Sequence, residues 1–152
     1  MKQLLFKFSN NKKNKYFILF AASIIFLCIV SVASAVTFAS QNPYWFFEHF
    51  DNVLLGSRQT STNTAWQISA HAGNSTRLRN INLTEESLNN FSISSNSDEG
   101  NISILFSQNN IYKQIDISNF EDTIDLSDFV PGSIRIELVF QEAINFRVNI
   151  QW

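Results

Sequence analysis

From Tyr16 to Ala39 the chain carries no charged side chain: YFILFAASIIFLCIVSVASAVTFA. At about 1.5 Å per residue, a helix over this run is roughly 36 Å long, against about 30 Å for the hydrocarbon core of a bilayer. Lipid gives backbone N–H and C=O groups no partners, so a run of this kind crosses a membrane only as a helix that satisfies itself. The flanks are unequal. Lys2, Lys7, Lys12, Lys13 and Lys15 precede or open the run, and residues 1–40 contain no acid. Residues 41–152 carry six Arg and Lys against thirteen Asp and Glu, a net charge of −7. Lysines on one side and acids on the other place the N-terminus in the cytoplasm and the rest outside. The implied partner is the lipid bilayer, through residues 16–39, and the organisation is a basic segment 1–15 followed by a transmembrane helix 16–39.

A cleaved signal peptide is the alternative. Ala33 and Ala35 have the small-x-small spacing of a cleavage site, which would leave a secreted domain starting at Val36. The apolar run is longer than the usual roughly 7–15 residues of a signal core, and it continues through Val36 and Phe38, which favours an anchor. The sole cysteine, Cys28, follows Ile25, Phe26 and Leu27 rather than the small residues that precede a lipidated cysteine; it reads as a membrane-buried thiol. With one cysteine there is no intramolecular disulfide, so the rest of the chain must stand on its apolar core. An acidic domain outside the membrane also lacks the basic face that nucleic acid requires.

Five aromatics crowd residues 44–50 (Tyr44, Trp45, Phe46, Phe47 and Phe50) directly after the anchor. They suit either a helix at the membrane interface or a short helix on the following domain, with Pro43 in its first turn. Residues 40–63 are therefore expected to be an aromatic juxtamembrane segment and a linker, the latter in the polar stretch Ser57–Thr64.

From residue 64 onward the apolar period is two. Trp66, Ile68 and Ala70 alternate with polar neighbours, as do Ile102, Ile104 and Phe106, then Ile134, Ile136, Leu138 and Phe140. The last run sets Ile144, Phe146, Val148, Ile150 and Trp152 against Asn145, Arg147, Asn149 and Gln151, which predicts a strand with one buried face and Trp152 in the core. Turn residues stand at Gly73-Asn74, Asn96 to Gly100, Gln108-Asn109-Asn110 and Pro131-Gly132, the last fitting a type II turn. Thr84 to Leu88 reads as a capped helical turn. The expected fold is all-β: an antiparallel two-sheet sandwich of seven to eight short strands over residues 64–152, with one N-terminal transmembrane α-helix.

From Phe91 onward the chain resembles small membrane-anchored β-sandwich proteins of Gram-positive bacteria. The likeness lies in Gly100, Ile102 and Ile104, then Ile115-Asp116-Ile117-Ser118, Ile124-Asp125-Leu126-Ser127, Phe129, Pro131-Gly132 and a final hairpin ending in Trp152. It implies a fold and an anchoring arrangement, and no activity.

No catalytic, cofactor-binding or metal-binding residue is singled out. His49 and His71 have no Cys, Asp or Glu at ligand spacing. Glu121, Asp122, Asp125 and Asp128 are dense, but lack the alternate ligands and central Gly of a Ca²⁺ loop, and read as a solvated face. Sequons at Asn74, Asn82, Asn90 and Asn101 are ordinary in a chain so rich in Asn and Ser. The expected function is a non-enzymatic binding or structural module of the cell envelope, with a protein or glycan partner. A small envelope hydrolase is the alternative. A concave face with two convergent carboxylates would favour the hydrolase, and a flat or aromatic-lined face the binding module.

Overall fold

The computed structural model describes residues 12–152. The chain divides into two compact units, one ending at Phe38 and the other running from Ala39 to Trp152. The first is dominated by helix α1 (Lys12–Gln41). Its segment Tyr16–Phe38 has a mean hydropathy of 2.7 and is long and apolar enough to cross a membrane; none of that span is buried within the chain. Its hydroxyls do not spoil it. Ser23, Ser31, Ser34 and Thr37 donate to the carbonyls of Leu19, Leu27, Val30 and Ala33, one turn back, at 2.8–2.9 Å. Each polar group is thus satisfied inside the helix, as a water-free surrounding demands. Lys2 and Lys7 lie outside the described residues.

In the second unit α2 (Pro43–His49) precedes strands β1 (Val53–Leu55), β2 (Arg58–Ser61) and β3 (Ala65–Leu83). Then come α3 (Glu85–Asn89), β4 (Ser92–Asn96), β5 (Glu99–Gln108), β6 (Ile111–Asp116), β7 (Phe120–Thr123) and β8 (Gly132–Gln151). The all-β architecture stands, but its wiring differs from two sheets of short strands. All eight strands belong to one antiparallel sheet. Its spine is the pairing of β3 with β8, from Ala65↔Gln151 to Leu83↔Gly132. One half of β8 takes β4, which carries β7; the other half takes β5, which carries β6. β2 and β1 lie along β3.

This sheet folds over on itself. Trp66 and Ile68 from the start of β3 share one core with Ile81 and Leu83 from its end, together with Phe91, Ile104, Phe106, Leu138 and Val148. The Arg79 guanidinium donates to the Ala65 carbonyl at 3.0 Å, so the two halves of β3 touch. A strand of 19 or 20 residues is too long for one layer of so small a core, and it passes from one layer to the other.

The bend has a defined chemistry. Between Gly73↔Ala143 and Ser75↔Phe140 the register slips by one, setting Gln141 and Glu142 against Asn74 alone. On its other edge β8 does the same to β5, where Gly100 stands alone between Glu99↔Ile144 and Asn101↔Gln141. Such bulges bend a strand and sharpen its twist. Glu142 and Asn145 take left-handed backbone angles, φ 52° and 47°. Gly100 has φ +77°, and a Cβ there would lie 2.2 Å from the Glu142 carbonyl oxygen. At the same point the buried set steps by three rather than two, from Ala70 to Gly73 and from Phe146 to Ala143. Ala72 and Ile144 are left on the opposite face, so Ile144 is not in the main core with Phe146 and Val148. They are covered there by Leu55 and by Phe46 and Phe47 of α2.

The aromatic segment is therefore part of the β unit. Phe46 and Phe47 are 3% and 8% exposed, whereas Tyr44 and Phe50 face outward. The Tyr44 hydroxyl donates to the Glu99 carboxylate. That bond and the negative charge hold the phenol above its ordinary pKa.

Other turns depart from the pattern read in the sequence. The expected linker Ser57–Thr64 contains β2, an exposed edge strand with no apolar alternation to announce it. Gly73-Asn74 lies inside β3 at the bend. Gly132 has φ +136° but opens β8 rather than centring a hairpin. Asn109 and Asn110, with φ 48° and 67°, make the tight β5–β6 turn, which suits the sheet's twist. The Thr84 side chain caps α3 through the Ser87 N–H at 3.1 Å. Trp152 is half-buried, one residue beyond the last rung of the spine. Its ring stacks on Phe91, with the Arg79 guanidinium 4.9 Å from its centre and 5.9 Å from that of Trp66. Trp66 occupies the fully buried place, and Trp152 closes the end of the core.

Two predictions follow from this geometry. Gly100→Ala should destabilise the unit by about 1–3 kcal/mol or more, since both the backbone angle and the space exclude a methyl group. Urea denaturation measures it, and an unchanged midpoint would contradict the bend described here. The second concerns Asp116, whose carboxylate accepts from the Ser118 N–H and hydroxyl at 2.9 and 2.7 Å while Ser118 Oγ accepts from Ile102 N–H. The backbone bond first, then the hydroxyl bond, holds this carboxyl below its ordinary pKa. A depressed folded value means stability that is present above the unfolded pKa and is lost as pH falls through the folded one. Asp116→Asn should therefore be less stable than wild type at neutral pH, with the gap closing in acid; a gap constant with pH would show that the charge takes no part.

Candidate binding face

The outward side of β2, β3, β8 and β4 forms a shallow concavity of about 480 Å³. The ladder fixes its rows. One row reads Arg58–Ser69–Arg147–Asn96 across the four strands, and the next reads Thr60–Gln67–Asn149–Ser94. Alternation alone puts these side chains on one face, because their neighbours Ile68, Phe146, Val148 and Ile93 fill the core. Arg58 and Arg147 are two strands apart, roughly 10 Å at the backbone. Among the described residues neither forms an ion pair or hydrogen bond, whereas Arg135 pairs with Glu137, Arg79 donates to backbone carbonyls and Lys113 contacts the Asp125 carbonyl.

Asn149 adds a second feature. Its Oδ1 is shut off from solvent and has no hydrogen-bond partner. An amide oxygen left so is costly, and being shut off it lies out of reach of anything in the concavity. Among the described residues no carboxylate lines the concavity. The next carboxylate along the second row is Glu121 on β7, opposite Ser94.

The residues weighed from the sequence lie elsewhere. His71 is exposed on β3 at the bend, beside Gly56, and His49 is in α2, its side chain undescribed. Glu121 and Asp122 belong to β7. Asp125 accepts from the Ser127 N–H at 2.9 Å, which lowers its pKa and gives it a local structural task. Among the described residues no three His, Cys, Asp or Glu side chains cluster as metal ligands would. Cys28 is a free, exposed thiol on α1.

Arg147 and Asn149 were visible in the sequence as the wet side of the last strand. Arg58 was hidden, because SRQTSTNT carries no apolar alternation to mark a strand, and nothing local announces that it lies two strand-widths from β8.

No family model matches the chain, and no curated protein matches it. Among solved structures it is similar to PliG of Salmonella Typhimurium, a periplasmic lysozyme inhibitor of g-type lysozyme. The identity is 12% and the TM-score 0.37, over 60% of this chain and 94% of that one. A likeness of that size bears on neither the fold nor the function.

Proposed function

We propose that the chain is a single-pass, non-enzymatic binding module of the cell envelope, anchored by α1 with its N-terminus in the cytoplasm and its β unit outside. The observation that carries this reading is the Tyr16–Phe38 span, uncharged throughout, strongly apolar on average and unburied by any part of its own chain. Its hydroxyls are satisfied within the helix, and α1 runs unbroken through Ala35, the candidate cleavage site, to Gln41. The lysines before the span and the net −7 after it supply the orientation. The resemblance to membrane-anchored β-sandwich proteins of Gram-positive bacteria agrees with that arrangement. Against a hydrolase stands the concave face, which offers two arginines and amides where convergent carboxylates would be required.

Fractionation of cells expressing the full chain tests the anchor, followed by mass measurement and by protease added from outside. The expected result is an intact N-terminus in the membrane pellet with the β unit open to the protease. A soluble product beginning at Val36 would replace the anchor with a secreted domain, and a protected β unit would reverse the orientation.

A further inference from the structure

We infer that the concave face of β2, β3, β8 and β4 is a binding site for an acidic polysaccharide, with Arg58 and Arg147 holding two acidic groups and Thr60, Gln67 and Ser94 sugar hydroxyls. This rests on the binding-module reading and gives it a ligand class. Three observations converge. Arg58 and Arg147 open onto one concavity with no acidic partner among the described residues, although the unit as a whole has more than twice as many acids as bases. A guanidinium offers a planar fork of donors matched to carboxylate or phosphate oxygens. The roughly 10 Å between the two backbones leaves room for each guanidinium to take a separate acidic group of one polymer.

The uncharged row narrows the class. The exposed Thr60, Gln67 and Ser94 side chains both donate and accept hydrogen bonds, whereas a simple anion only accepts them. A sugar hydroxyl does both and matches this row. An acidic peptide brings its donors chiefly on the backbone, which pairs with a sheet edge rather than a sheet face. The acidic remainder of the unit does not cancel the site, because charges more than about 8 Å away are largely screened at physiological ionic strength. Glu121 flanks the site and opposes an anion there.

The test is titration calorimetry on the full chain in neutral-detergent micelles. The probes are oligogalacturonate, its methyl ester, a phosphate-esterified dextran and polyglutamate. The expected result is binding of an acidic glycan that weakens with salt and fails with the methyl ester, the carboxylated and phosphorylated arms showing which acid is preferred. The double variant Arg58→Gln/Arg147→Gln should bind at least tenfold more weakly, Glu121→Gln more tightly, and Arg135→Gln, on the other outer face, like wild type. Equal binding by the double variant, polyglutamate binding as tightly as the glycans, or no glycan binding at all overturns the inference. A thermal melt of each variant separates loss of binding from loss of fold. None of these outcomes depends on which side of the membrane the unit occupies, so the anchor and the ligand stand or fall separately.

Discussion

The ladder between β3 and β8 is the constraint on which the remaining structure depends. It supplies the two central strands of both layers; β1, β2, β4 and β5 are placed by pairing to it, and β7 and β6 by pairing to β4 and β5. Because the ribbon must bend, the bulge at Gln141–Glu142, the left-handed Glu142 and Asn145, and the forced glycine at position 100 follow as conditions of closure. The buried phase shift at the bend then leaves Ala72 and Ile144 uncovered on the outer side, and α2 exists where it does because its phenylalanines cover them.

The same ladder makes the binding face. Rows of side chains are read straight across four strands, so the position of Arg58 relative to Arg147 is set by hydrogen bonds between backbones rather than by contacts of the arginines themselves. Long cationic side chains are mobile, yet their roots are fixed to within the tolerances of a sheet. That division suits recognition of a flexible, repetitive polymer, in which spacing matters more than a single rigid fit.

The legible part of this architecture was local. Alternation revealed β5, both halves of β8, the first half of β3 and a little over half of the main core residues, because a period of two is printed on each strand separately; Ile81, Leu83, Phe91, Ile93 and Ala143 were not read as core. The capped turn at Thr84 was equally local. What could not be read was long-range. Nothing in Gly73-Asn74 distinguishes a turn from a bulged strand, since both need residues tolerant of unusual backbone angles. The polar strand β2 has no core face to betray it; it is a strand only because β3 offers an edge. Trp152 matched the phase of its strand but lies past the final rung, half-buried at the end of the core against Phe91 and Arg79. The binding face fell in the same gap, since it is assembled from four strands and one of them, β2, was read as linker.

The spine also sets the order in which the molecule can come into being. Its partners are 49 residues apart in the chain at one end (Leu83 and Gly132) and 86 apart at the other (Ala65 and Gln151). Contacts that distant form slowly, because the entropy of closing the loop is spent before the pairing repays it. The β5–β6 hairpin, with its two-residue turn, needs no such wait. During synthesis the β3 segment therefore emerges long before β8 and spends that interval without its main partner. The polar strand β2, adjoining it in sequence, can pair the first half of β3 at once, shielding one of its edges until β8 arrives on the other.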